Sequence, residues 1–411
     1  MNIPVRSNVF MNRIFFLENK IQEYAWGSTT AIADLTGKPV PSERPQAELW
    51  MGAHPKAPSR VIQKGRLHSL LELINDNPEN ILGRKTAARF HNSLPFLFKV
   101  LAAERPLSIQ SHPSLKQAKD GFDRENNNNI PLTAPFRNYK DSNHKPEIIC
   151  ALTPYWALNG FRKISRILEL FALVNPQMLA QDLALLQQNP DRDGLKHFFT
   201  RLISKDSQQT RQIVGETTAY AKAHETEDDI WSWTVKLNSE FPGDAGVLGP
   251  ILLNLVLLQP GEAMYLPSGQ LHAYLNGVGI ELMANSDNVL RGGLTEKHID
   301  VPELLLALTF QDQDVTILRA QATENGAEVY RTDAKEFELS RLTISPDNPF
   351  CSAESRSVEI QICTEGQGLV TDLSDVADLP IRKGCSFIVP SSVKQYRISG
   401  DLTMYRATVP V

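Results

Sequence analysis

Apolar and polar positions follow three rhythms along the chain. From about residue 11 to 155, short apolar runs such as Leu97-Phe98-Lys99-Val100-Leu101 and Leu107-Ser108-Ile109-Gln110 stand between polar stretches and predict strands. Residues 121–143 are rich in Asn and Pro, with Asn126 to Asn129 in a row, and predict a long loop of the kind that often carries function. From about 160 to 241 the spacing becomes helical: Ile164, Ile167, Leu168 and Phe171 recur at i, i+3, i+4 and i+7, as do Leu195, Phe198, Phe199 and Leu202. Pro176 and Pro190 punctuate these helices. After Pro242 strands are predicted over 252–258, 263–266 and 272–275, then a helix over 301–309 with Pro302 in its first turn. From about 325 onward short strands separated by turn residues have the pattern of a β-sandwich or barrel.

These rhythms divide the chain into a discontinuous β domain (11–155 plus 242–322), a helical subdomain (156–241) and a C-terminal β domain (323–411). Residues 1–10 read as a tail, with Met11 as an alternative start. The two β regions echo each other. Gly261 is followed by Pro267 and His272, and at the same spacing Gly384 is followed by Pro390 and Gln395. The echo fits two related sandwiches of which the second lacks the histidine. It fits equally the common order of glycine turn, strand and proline turn.

Composition narrows the functional classes. With 42% hydrophobic and 22% charged residues, the chain of 411 residues has the content of a folded protein of two or three domains. Its 42 basic and 47 acidic residues leave a net charge of −5, without the basic surplus of a nucleic-acid binder. A local basic cluster is still compatible with a small anionic substrate. Asn254 interrupts the longest apolar stretch, far short of the roughly 20 residues of a membrane helix, and the N-terminus lacks a signal-peptide core. Cys150, Cys351, Cys363 and Cys385 form no CxxC pair, which points to a reducing cytoplasm.

The candidate chemistry lies in three segments. Gly261, Pro267, Gly269, His272 and Asn276 follow the spacing G-x5-P-x-G-x2-H-x3-N, which resembles the second histidine motif of cupins, double-sheet jelly-roll barrels whose inward histidine binds a metal. In the strand Leu107-Ser-Ile-Gln110-Ser-His112, Gln110 and His112 are two apart and converge on one face. Tyr139-Lys-Asp-Ser-Asn-His144-Lys145-Pro-Glu147 sets a carboxylate at the mouth of the apolar strand that follows. Taken alone, His272 and His112 are ordinary core or strand-end histidines, and the third segment is a solvated charged loop.

The segments YKDSNHKPE (139–147) and HAYLNGVGIELMANSDNVLRGGLTEK (272–297) resemble the two signatures of type I phosphomannose isomerases, zinc enzymes with a cupin core. YAWG (24–27), AELWMGAHP (47–55), PFLFKVL (95–101) and PLSIQSHP (106–113) match as well, so the resemblance covers nearly the whole chain from residue 14. It implies a mainly β fold with a helical insertion, in which the discontinuous domain is the catalytic cupin barrel and 323–411 is cupin-like. It implies one Zn²⁺ per chain on Gln110, His112, Glu147 and His272. It also brings Arg291, Asp287 and Glu281 into the active site, with Lys99 and Lys145. Two departures are visible: Arg291-Gly292-Gly293 where the family often has Arg-Ala-Gly, and Thr295-Glu296-Lys297 where it often has Thr-Pro-Lys, which bears on the role of Lys297.

The implied reaction interconverts D-mannose 6-phosphate and D-fructose 6-phosphate through a cis-enediol, on the route to GDP-mannose or into mannose catabolism. Asp287, Glu281 and the His144–Lys145 pair are the candidates for the proton shuttle, and Arg291 for stabilising the enediolate. Ser108, Lys99, Arg291 and Lys297 are candidate substrate and phosphate contacts. Glu48 is a candidate site-lining carboxylate. Trp26 is a sugar-stacking candidate, although it and Trp50 read first as packing residues. Two imidazoles, a carboxylate and an amide oxygen suit zinc. Two His and one carboxylate also describe a metal cupin oxygenase, and a catalytically silent sugar-phosphate-binding regulator is the other alternative. The expected state is a cytoplasmic monomer with no nucleic-acid or membrane partner.

Overall fold

One strand organises the molecule, and its amino acids say why. His272–Ala284 is 13 residues long. Its first half pairs with Tyr155–Phe161, and His272 itself also faces Gln110 of the strand Ile109–Ser111. Its second half, from Gly277, pairs with Phe96–Ala103 on one side and Glu147–Ala151 on the other. The register shifts between Tyr274 and Asn276, and Gly277 follows at φ +132°. A Cβ there would lie 2.7 Å from the Tyr155 ring and 2.8 Å from the Pro154 carbonyl oxygen, so the corner requires glycine. The bend lets a single strand belong to two sheet layers.

The computed structural model describes residues 13–63, 65–375 and 377–410. The expected tail at 1–10 lies outside them. Two sheets, each of eleven strands, carry the fold. The sheet built on His272–Ala284 also contains Glu48–Gly52, Leu253–Leu258, Glu262–Leu266 and Leu290–Gly293. Among the described residues neither sheet closes on itself, so the expected barrel is two open layers joined through the bent strand. The fold is mainly β with a helical insertion, as expected.

The other sheet centres on Glu359–Asp372 and Tyr396–Thr408. It also takes in the start of the chain: Phe15–Glu18 pairs with Ser386–Val389 and with Arg60–Gln63. Sheet membership therefore crosses the boundary expected at 323. The helices Ile164–Val174, Arg192–Ile203, Ser207–Ala223 and Asp229–Glu240 bury Ile167, Phe171, Phe198, Leu202 and Leu237 against Leu158, Phe161 and Leu290 of the first sheet. For Ile164–Val174 and Arg192–Ile203 this is the apolar stripe that periodicity predicted.

The loop expected over 121–143 is helical at its start. Leu115–Asn127 is a helix opened by a capping box, in which Ser114 and Gln117 satisfy each other's backbone donors. Its buried positions are Ala118, Gly121 and Glu125, so no apolar stripe marks it. Gly121 packs on the Tyr139 ring, where a Cβ would approach within 2.4 Å. Glu125 accepts the backbone N–H groups of Asn138 and Tyr139 at 3.0 and 2.9 Å, which ties the remaining loop to the helix just before the site.

Candidate metal centre

Three strands deliver His112, Glu147 and His272 to one point. Side-chain exposure is 1% for each of the three. His112 Nε2 stands 3.3 Å from Glu147 Oε1, and His272 Nε2 stands 3.5 Å from Glu147 Oε2. One ligand atom from each lies within 4.8 Å of the others. Both rings are oriented from behind: His112 Nδ1 lies 2.7 Å from the Asn288 carbonyl oxygen and His272 Nδ1 lies 3.0 Å from that of Gln270. A carbonyl can only accept, so each Nδ1 carries a proton and each Nε2 is turned toward Glu147.

His112 Nε2 and His272 Nε2 are buried without a hydrogen-bond partner. Such atoms are costly unless a cation satisfies them. Burial, with Lys145 nearby, pushes the His112 imidazole down to about 4, so it is neutral and able to ligate at neutral pH. Burial alone would push the Glu147 carboxyl up. Lys145, whose Nζ is 2.9 Å from Oε1, and His112 outweigh it and hold the group well below the usual carboxylate range. Gln110 faces both His272 and Arg291 across the sheet, so its backbone sits between the second histidine and the arginine. Two imidazoles and one carboxylate form a donor set that fits a divalent ion of the zinc class.

A second charged group lies on the same sheet face. Lys99 pairs across strands with Glu281 and Trp50, and Glu48 is two residues from Trp50. Lys99 Nζ lies 2.7 Å from Glu281 Oε2 and 3.6 Å from Glu48 Oε1, while Trp50 Nε1 donates to Glu48 Oε2 at 2.6 Å. All three charged side chains are buried. Burial would lower the Lys99 pKa, but Glu281 and Glu48 outweigh it and raise it, so the ammonium persists. For Glu281, burial and repulsion from Glu147 and Glu48 outweigh Lys99 and push the carboxyl up.

The two signature segments are joined by groups to which sequence reasoning gave no role. Asn288 Nδ2 donates to the carbonyl oxygens of Asp141 and Asn143 at 2.8 and 2.9 Å, and its Oδ1 accepts from Lys140 N at 2.7 Å. Ser286 Oγ donates to Asp141 Oδ1 at 2.9 Å. The Asp287 side chain meets Lys56 at 2.9 Å and His54 at 3.5 Å. Burial lowers the His54 pKa. Only the polar density of the segments hinted at this network.

The remaining candidates are dispersed. Arg291 is half-buried, its pKa lowered by burial, and it forms no ion pair among the described residues. His144 turns away from the three ligands: its Nε2 lies 2.9 Å from Glu336 Oε1, beyond the first β region. Lys297 is exposed, and its backbone N–H bonds to Thr295 Oγ1 at 3.1 Å. Ser108 is half-buried just before the strand of Gln110. Trp26 is half-buried and stacked on Tyr24, with ring centroids 5.7 Å apart.

Residues 14–164 match the family described as phosphomannose isomerase type I, catalytic domain. The mannose-6-phosphate isomerase of Escherichia coli K12 is 41% identical over 387 residues, covering 93% of this chain and 96% of that protein. The chain belongs to the type I phosphomannose isomerase family. The human mannose-6-phosphate isomerase is more distant, at 32% identity over 96% of this chain and 98% of its own. A point mutant of phosphomannose isomerase from Salmonella typhimurium superposes with a TM-score of 0.91 at 36% identity, covering 97% of this chain and all of that one. A zinc-bound holo mannose 6-phosphate isomerase gives 0.90 over the same shares, also at 36% identity. As in those phosphomannose isomerases, the fold here is of the cupin type. No helix among the described residues is long and apolar enough to cross a membrane.

Proposed function

We propose that the chain interconverts D-mannose 6-phosphate and D-fructose 6-phosphate, with one Zn²⁺ held by Gln110, His112, Glu147 and His272. The observation that carries the reading is the convergence of buried ligand atoms of His112, Glu147 and His272 within 4.8 Å, with both imidazole Nε2 atoms lacking a hydrogen-bond partner, in a chain of this family. Bound zinc supplies Lewis-acid stabilisation of the oxygens flanking the carbon that loses its proton. Family membership and the added amide ligand favour this reading over an oxygenase. The intact ligand set and the partner-free Arg291 favour it over a silent regulator.

The chain's own residues do the rest. Lys145 neutralises Glu147 and keeps the carboxylate ionised. Arg291, opposite Gln110 and without a carboxylate of its own, supplies a fixed positive charge beside the developing enediolate. The Glu281 carboxyl, pushed up by burial and neighbouring carboxylates although Lys99 opposes this, is the candidate for proton transfer between C1 and C2. Asp287 acts at the rim with Lys56 and His54. The reaction passes through a cis-enediol and feeds mannose 6-phosphate toward GDP-mannose or draws it into catabolism. The enzyme works in the cytoplasm as a monomer. A coupled assay with mannose 6-phosphate, before and after chelation, tests the reading: turnover lost on chelation and restored by zinc supports it, and no turnover with zinc restored rejects it.

A further inference from the structure

The echo between the two β regions is structural. Gly261 and Gly384 both have φ +85° and lead into the strands Glu262–Leu266 and Ser386–Val389. Pro267 and Pro390 follow, and then two strands of 13 residues each, His272–Ala284 and Tyr396–Thr408. Each of these strands carries a glycine of matching backbone angle five residues past the echo position: Gly277 at φ +132° and Gly400 at φ +131°. Four matched positions and two matched pairs of unusual backbone angles exceed what common turn chemistry explains. The C-terminal sheet thus has its own counterpart of the metal strand, with Gln395 where the histidine stands.

The sheet face behind that strand is polar where a sandwich interior is ordinarily apolar. Cross-strand pairing sets Ser340, Arg406 and Gln361 in one row and Glu338, Thr408 and Glu359 in another. Glu359 accepts the Tyr396 hydroxyl at 2.5 Å and lies 3.5 Å from Arg406 Nη1 and 4.0 Å from Arg356 Nη1. The Arg356 and Arg406 side chains are only 5% and 8% exposed. The terminal nitrogens of Arg356 donate to the carbonyl oxygens of Ser357, Val389, Pro390 and Val393, and Arg406 Nη2 donates to Ser340 Oγ, while the Nε donors of both and the Gln361 Oε1 acceptor have no hydrogen-bond partner. A cavity of about 370 Å³ opens onto this cluster, with Arg331, Glu338, Arg356, Glu359 and Arg406 on its walls. Arg331 and Glu338 neutralise each other at 3.3 Å, so three guanidinium groups face two carboxylates and one positive charge is left over.

We propose that this cavity is a second ligand site, in which Arg356 and Arg406 hold a small phosphate-type oxyanion. Buried guanidinium groups in excess of carboxylates are the usual recognition chemistry for such anions, and the cavity is of small-ligand size.

Inorganic phosphate titrated calorimetrically into the zinc-loaded full chain tests this. Ala353 is exposed at the cavity mouth, so Ala353→Trp blocks entry and spares the buried cluster. The wild type should show a phosphate site that Ala353→Trp weakens at least tenfold, with zinc content unchanged. Arg406→Met should abolish the same site; if that variant does not fold, Ala353→Trp decides alone. Phosphate binding by Ala353→Trp equal to that of the wild type would overturn the proposal. The readout is anion stoichiometry, so it stands whatever reaction occurs at the metal.

Discussion

His272 Nε2 lies 3.5 Å from Glu147 Oε2, although the Glu147 backbone pairs with Met283, near the opposite end of the strand that His272 begins. The contact exists because that strand turns back on itself at Gly277. The centre is therefore a product of backbone shape as much as of ligand type.

Gly277→Ala puts a methyl group into Tyr155 and Pro154 and strains the backbone. It should cost about 1–3 kcal/mol of stability and loosen metal retention together. Denaturant unfolding and zinc analysis of the purified variant check this. Unchanged stability would mean the corner tolerates a side chain.

His272→Ala removes a ligand outright and should abolish both zinc content and turnover. Asn288→Ala touches no metal but unties the loop whose carbonyl orients His112, and should weaken zinc about 10–100-fold. Competition with a chromophoric chelator measures both. Zinc retained in His272→Ala would show that the ligand assignment is wrong.

Lys99→Met leaves Glu281 and Glu48 buried without their cation and should destabilise the fold by about 3–5 kcal/mol. Adding Glu281→Gln to that variant removes one of the two stranded carboxyl groups and should restore much of the loss. Urea unfolding of the single and double variants decides this; additive losses would mean that Lys99 and Glu281 are not coupled.

The pair of His144 and Glu336 predicts an acid limb. Burial would raise the Glu336 carboxyl, but its hydrogen bond to His144 outweighs this and lowers it. A carboxyl lowered in the folded state contributes stability that is present above its unfolded value, about 4.3, and is lost as pH falls through its folded value. Glu336→Gln should therefore show a shallower loss of Tm below pH 4.3 than the wild type. Superimposable acid limbs would remove the pair from the pH response.

Arg291→Ala should keep its zinc and lose turnover by roughly 10²–10³-fold, the scale of a lost charge stabiliser. Near-normal rates in a coupled assay would take Arg291 out of the mechanism.

The segments that bear His112, Glu147 and His272 were legible by their motif spacing, and the family resemblance, not the residues taken alone, gave them a role as ligands. The helices with Leu and Phe stripes were legible from periodicity. The grouping of Glu48, Lys99 and Glu281 was not legible as a cluster. It depends on the register Lys99 opposite Glu281 and Trp50, which joins residues far apart in sequence. The helix Leu115–Asn127 escaped because its buried face is Ala118, Gly121 and Glu125. His54 carried no signal, since only the folded loop brings it to Asp287. The entry of Phe15–Glu18 into the C-terminal sheet likewise depends on pairing that no local pattern encodes.

Anomalous scattering at the zinc edge from crystals of the zinc-loaded protein tests the central claim most directly. A single peak is expected, about 2.0–2.2 Å from His112 Nε2, His272 Nε2 and Glu147 Oε1, with the Gln110 amide oxygen completing the set. A peak bound elsewhere, or none with the two imidazoles still unpartnered, would contradict it.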